Sequence, residues 1–197
     1  MTKSTITKIA LALLIWTNPV IAAAKVPSWK IVPESSQITF TATQNHAPVQ
    51  GNFKTFTGEI NFDKEQLDKS NVNIAIDIAS LFSSNSDIIK TLLEADWFDV
   101  KDFPKAVFSS NEFTKDTTGS AGEERYKAKG SLTIRDKTVP VTVSFAFKEY
   151  SSTKAQALGS TSIKRTDFGV GQGEWSSPTV VEDGVQVNFT VTAIKNQ

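Results

Sequence analysis

The chain of 197 residues has no cysteine, one methionine and one histidine. Without thiols there is no disulfide, no thiol redox couple, no cysteine nucleophile and no thiolate-held zinc. The single imidazole, His46, has no second histidine to pair with, and in the polar stretch around Asn45 and Pro48 it reads as an exposed turn residue. Neither sign of charge is in excess, because 21 Lys and Arg balance 21 Asp and Glu and are interspersed along the chain. That leaves no positive field to follow a nucleic-acid backbone, so nucleic acid is not expected as a partner. Long apolar runs are also missing. The run at residues 9–16 falls well below the ~20 residues that a retained spanning helix needs. Lys3 and Lys8 precede it, Asn18-Pro19 breaks it, and Ala22, Ala23 and Ala24 supply the small residues a signal peptidase reads. Residues 1–24 are therefore expected to be a cleaved signal peptide, cut after Ala24. Residues 25–197 would form one exported domain, without a membrane segment and best suited to a bacterial periplasm.

Period-two alternation dominates what remains. Ile38, Phe40 and Ala42 face away from Gln37, Thr39, Thr41 and Thr43. The pattern returns in Val72, Ile74, Ile76 and Ile78, in Val139, Val141, Val143, Phe145 and Phe147, and in Val185, Val187, Phe189 and Val191. This is the signature of strands with one dry and one wet face. Weaker versions run through residues 106–113, 126–134 and 156–164, giving eight or nine strands. The phase slips between Gly51 and Phe53, which are odd-numbered, and Phe56, Gly58, Ile60 and Phe62, which are even, so a bulge or sharp bend is predicted near Thr55. Residues 86–95 break the series. Ile88, Ile89, Leu92 and Leu93 form a helical stripe behind Ser86 as a candidate cap, which predicts a short amphipathic helix. Brief polar turns at 115–119, 135–137 and 182–184, with no dividing linker, complete an all-β domain plus one helix, either barrel or sandwich. Alternation alone does not decide whether its interior is filled by side chains or holds a ligand.

Particular landmarks go further. Trp29-Lys30-Ile31-Val32-Pro33 is followed by Ser36-Gln37-Ile38-Thr39-Phe40, then by Gly51-Asn52-Phe53 with Phe56-Thr57-Gly58, and by Asp96-Trp97-Phe98-Asp99 leading to Phe103-Pro104 and Phe108-Ser109-Ser110. Gly130-Ser131-Leu132-Thr133-Ile134, Thr138-Val139-Pro140-Val141 and Arg165-Thr166-Asp167-Phe168-Gly169-Val170-Gly171 continue the order almost to the end. In this order they resemble the YceI-like family. The resemblance implies an extended lipocalin-like barrel of eight antiparallel strands with one short α-helix, secreted to the periplasm. It further implies that the barrel binds, sequesters or ferries a polyisoprenoid or similar long-chain amphiphile, such as an isoprenoid quinone, a prenyl phosphate or a fatty amide. No catalysis and no cofactor other than the bound lipid are implied. Where family members often carry Arg-Asp and then His-Leu at the helix start, this chain has Ser86-Asp87-Ile88-Ile89, so only Asp87 carries over.

The inward positions Ile38, Phe40, Phe53, Ile74, Ile76, Val141, Val143, Phe145, Val187 and Phe189 would supply an apolar lining, and Phe108 and Phe168 from the landmarks join them. Trp97 and Phe98 are candidates for a gate at the mouth or for filler between helix and sheet. Arg165 and Asp167, two apart on an expected strand, read as an ion pair bracing the next turn or as a head-group contact. Gly169, Gly171 and Gly173 lack the context of a phosphate loop and read as a flexible hairpin. Two other function classes compete. One is a stress-related structural or protein-interaction module with a filled core and an exposed strand edge. The other is a glycan hydrolase built on Asp96 and Asp99, or on Asp63 and Glu65. Whether two chains pair as a homodimer is left open by the sequence.

Overall fold

The computed structural model describes residues 25–117 and 124–197, so the expected signal peptide and part of the 115–119 turn lie outside the described residues. The strands are β1 (Ser28–Ile31), β2 (Gln37–Gln44), β3 (Ala47–Phe53), β4 (Phe56–Asn61), β5 (Asn71–Asp77), β6 (Leu81–Phe82), β7 (Lys105–Asp116), β8 (Arg125–Ile134), β9 (Lys137–Tyr150), β10 (Lys154–Lys164) and β11 (Gly184–Lys195), with α1 (Ser86–Leu93) after β6. Every pairing is antiparallel. Each of the first three staves is broken in two. β1 and β2 both lie along β11, β4 and β3 pair with β1 and β2, and β5 and β6 pair with β4 and β3. The ring runs β1-β4-β5-β7-β8-β9-β10-β11 and returns to β1, a closed barrel of 8 strands of the lipocalin-like kind. Closure removes the long free edge that a sandwich would present, and the splayed side of the sheet ends on β6, only 2 residues long.

The breaks explain the phase slip. Residues 54–55 and the 3-10 turn Ile78–Ser80 lie side by side, joined by Lys54 N–H to Ser80 O at 3.2 Å, Thr55 N–H to Ser80 Oγ at 3.0 Å and Asp77 N–H to Thr55 O at 3.0 Å. The pleat restarts across this bend, so Phe53 and Phe56 are both buried although their numbers differ in parity. The helix is shorter than the expected 86–95 and starts under a different cap. Asn85, not Ser86, accepts the Asp87 N–H on its side-chain oxygen at 2.9 Å, and Glu94 has already left helical geometry. Asn45 and His46 both take positive φ at the tip of the β2–β3 hairpin, which makes His46 the exposed turn residue the sequence suggested.

Chain direction divides the barrel into two ends. The β2–β3 turn, the α1 region at 83–104, the β8–β9 turn and the long β10–β11 connection at 165–183 gather at one end, called upper here. The lower end is closed by an aromatic plug. Phe62 sits at its centre with ring centroids 5.3 Å from Phe147, 5.4 Å from Phe113 and 5.9 Å from Tyr126, and its carbonyl accepts the Trp29 indole N–H at 2.9 Å. The Lys64 ammonium lies 4.9 Å from the centre of the Tyr150 ring and 2.8 Å from the Glu124 carboxylate.

Within this plug Tyr126 is completely buried. Burial, reinforced by the nearby Glu124 charge, pushes its phenol up to about 12. The unfolded chain loses that proton near pH 10, its ordinary value, whereas the folded chain keeps it. Between those values the unfolded state binds fewer protons, so stability falls as pH rises, by at most ~2–3 kcal/mol for a shift of this size. Urea midpoints measured between pH 9 and pH 12 are expected to drop in the wild type and to drop less in Tyr126→Phe; parallel curves would reject the assignment.

Candidate functional site

A cavity of about 290 Å³ occupies the barrel between the plug and the upper end. Every lining candidate taken from the sequence borders it: Ile38, Phe40, Phe53, Ile74, Ile76, Trp97, Phe98, Phe108, Val141, Val143, Phe145, Phe168, Val187 and Phe189. β2, β5, β9 and β11 supply most of them because inward positions recur at every second residue, whereas Phe53 comes from β3, Phe108 from β7, Trp97 and Phe98 from the stretch after α1, and Phe168 from the 3-10 turn after β10. The sequence reading missed other wall residues. Leu92 comes from α1, Ile134 and Ile163 from strand ends, Val170 and Val181 from the β10–β11 connection, and Trp29, Phe62, Phe113, Phe147 and Tyr150 from the lower end. Phe147 and Phe62 stood in the alternating series and could have been found there. Val170 and Val181 belong to no periodic run, so only the fold locates them.

Gly159 shows how the wall is shaped. It faces inward on β10 opposite Phe189 on one side and Phe145 on the other. A Cβ there would collide with both side chains and with the Ser144 carbonyl. The missing side chain lets two phenylalanines close over this stave.

Two segments cover the upper end. The stretch after α1 is held by Arg135, which donates from Nη1 to the Ala95 carbonyl at 2.6 Å and to the Trp97 carbonyl, while its Nη2 lies 3.6 Å from Asp99. Phe98 packs edge-on against Phe53 at 6.0 Å, and Trp97 tilts against Trp175 at 5.6 Å. The connection at 165–183 crosses over them, its Gly171 and Gln172 N–H groups both donating to the Asp96 carbonyl at 2.8 and 2.7 Å. Trp97 is 7% exposed and Phe98 half-buried, and both gate candidates border the cavity from the cover.

Arg165 organises that cover, and here the structure departs from the sequence reading. β10 ends at Lys164, and Arg165–Phe168 is a 3-10 turn, so Arg165 and Asp167 do not share a strand face. Asp167 is exposed, whereas Arg165 is 3% exposed and directs its N–H groups at backbone. Nε donates to Glu182 O at 3.2 Å. Nη1 donates to Val170 O at 3.0 Å and Gly171 O at 3.1 Å. Nη2 donates to Trp175 O at 2.7 Å, Val181 O at 2.8 Å and Ser177 O at 3.4 Å. The guanidinium thus serves the connection's carbonyls and forms no ion pair with Asp167. Burial lowers its pKa from the ordinary arginine value, opposed by the charge of Asp183. The three glycines do not form a flexible hairpin. Gly169, Gly171 and Gly173 take φ of 65°, 79° and 58°, wrapping the connection around the guanidinium, and a Cβ on Gly171 would run into Nη1.

The carboxylates proposed for glycan chemistry stand elsewhere. Asp96 and Asp99 lie on the cover, Asp99 beside Arg135, while Asp63 accepts the Glu65 N–H at 3.0 Å in the lower loop. None of Asp63, Glu65, Asp96 and Asp99 borders the cavity. Among the described residues no helix is long and apolar enough to cross a membrane.

With the barrel and its cavity in place, comparison with known proteins is direct. A family model for the YceI-like domain matches residues 29–193. A UPF0312 protein of Pseudomonas putida strain W619 is 26% identical over 154 residues, covering 76% of this chain and 75% of its own. Among solved structures, BcnA of Burkholderia cenocepacia superposes with a TM-score of 0.74 at 30% identity, over 82% of this chain and 98% of BcnA. A polyisoprenoid binding domain from Saccharophagus degradans superposes with a TM-score of 0.66 at 14% identity, over 88% and 100% of the two chains, which is a likeness of fold. The match spans both barrel and cover, and the chain belongs to the YceI-like family.

Proposed function

We propose that this protein binds a polyisoprenoid or similar long-chain lipid by enclosing its apolar tail in the barrel, without catalysing a reaction. The observation that carries the reading is the cavity of about 290 Å³ behind a wall of hydrocarbon side chains. At ~24 cal/mol per Å³, an apolar hollow of this size costs roughly 7 kcal/mol relative to a filled core, comparable to a domain's whole stability. A barrel that needed only a core would gain by filling it. A tail recovers that loss at ~0.8 kcal/mol per buried carbon group, so few polar contacts are required. The Saccharophagus degradans domain, described as polyisoprenoid binding, supports the same class of ligand. Cleavage after Ala24 and residence in the periplasm complete the proposal. A carrier there would move an isoprenoid quinone, prenyl phosphate or fatty amide through water.

The test is a titration of the mature protein with fluorescent prenyl probes of increasing length. Saturable binding at one probe per chain is expected, with affinity rising with each added isoprene unit until the cavity is full. Absence of saturable binding to the folded protein at every length would overturn the proposal.

A further inference from the structure

Among the described residues, two tryptophans, Trp29 and Trp97, are buried, and their indole N–H groups have opposite fates. At the lower end Trp29 donates to the Phe62 carbonyl at 2.9 Å. At the upper end Trp97 borders the cavity, its Nε1 is buried, and no acceptor lies within hydrogen-bond reach of it. A buried donor left unpaired is costly, and native structures rarely retain one without a reason. We infer that the Trp97 indole N–H is the hydrogen-bond donor for an acceptor-only oxygen, a ketone or quinone-type carbonyl, on the lipid that occupies the barrel. The inference rests on the carrier reading and names the polar chemistry that reading leaves open.

The surroundings select this chemistry against the alternatives. Carbonyls of the surrounding cover are already engaged: those of Val170, Gly171 and Val181 by Arg165, that of Asp96 by two backbone N–H groups, and that of Trp97 by Arg135. A hydroxyl or amine placed here would have its own hydrogen left without a partner, whereas a carbonyl has none to satisfy. The Arg165 guanidinium stands 5.7 Å from the centre of the Trp97 ring with its N–H groups directed at backbone. It contributes positive potential without a donor, which favours the negative end of a carbonyl dipole and repels an ammonium. A phosphate or carboxylate would bring several lone pairs to a single N–H in a wall of carbon, too little to offset its desolvation.

The experiment uses three probes with one fifteen-carbon prenyl chain: a methyl ketone, the alcohol obtained by reducing it, and the corresponding hydrocarbon. Wild-type mature protein is expected to bind the ketone about five-fold more tightly than the other two, the size of one net neutral hydrogen bond. In Trp97→Phe, which keeps an aromatic ring, the ratio of ketone to hydrocarbon affinity should fall to unity or below, whatever the change in absolute affinity that all three probes share through the altered wall. In 15N-labelled wild type the Trp97 indole N–H resonance should move downfield with the ketone and not with the hydrocarbon, a readout that needs no folded variant. An unchanged ketone preference in Trp97→Phe, or an indole resonance identical with ketone and hydrocarbon, overturns the inference while leaving the carrier reading intact. Failure of all three probes to bind removes both.

Discussion

Arg165→Met is expected to destabilise the barrel by ~3–5 kcal/mol, lowering the thermal midpoint by about 10 °C. Methionine restores most of the buried stem but none of the donors, so the carbonyls of Val170, Gly171, Trp175, Val181 and Glu182 lose their partner inside the cover. Arg165→Lys keeps the charge and should recover little of the loss, because one ammonium cannot reach carbonyls spread around a planar fork. The same fork contrasts with Asp183, which holds the start of the 3-10 turn by accepting from the Thr166 N–H at 3.1 Å and its hydroxyl at 2.6 Å. Burial raises the Asp183 pKa, but the Thr166 bonds and the Arg165 charge outweigh it and leave the carboxyl below its ordinary value. Urea unfolding followed by circular dichroism checks the Arg165 prediction. A loss below ~1 kcal/mol in Arg165→Met would place the guanidinium among surface-like contacts and refute its organising role.

The second large effect distinguishes a pocket from a packed core by its sign. Val141 pairs with Gly130 on β8, and Val187 lies opposite Thr161 on β10; both valines border the cavity. The double variant Val141→Phe, Val187→Phe should fill part of the hollow. Prenyl probe affinity is expected to fall more than ~10-fold, since the added rings take the tail's place, while unfolding free energy stays level or rises by ~0.5–2 kcal/mol. In a barrel already packed to native density the same rings would force strain and cost ~1–3 kcal/mol at each site. Stability lost with uptake unchanged would therefore contradict the cavity account.

Facing was legible in the sequence, and filling was not. Period-two alternation in β2, β5, β9 and β11 put nine of the lining candidates, from Ile38 to Phe189, on the inner wall, and the parity change between Phe53 and Phe56 marked the bend that breaks a stave. Alternation reports which side a residue faces, not how much space is left between opposite walls, so the cavity itself needed the fold or the family resemblance. Barrel closure depends on β1 meeting β11, segments with no shared local pattern. The cap shifted by one position because Asn85 and Ser86 are both good capping types and only backbone geometry chooses between them. Arg165 was misread for a deeper reason. Its partners are main-chain carbonyls, which no side-chain pattern encodes, and the only trace in the sequence is the glycine spacing that lets the connection wrap around it. The unpaired Trp97 N–H is likewise a property of three-dimensional packing.

The most direct test of the central claim is mass spectrometry of an organic extract from the protein, purified from its native host beside a barrel protein with a filled core. The account predicts a long-chain prenyl or related lipid in near-stoichiometric amount, absent from the control. A folded protein that yields no lipid, and takes up none when offered, would contradict it.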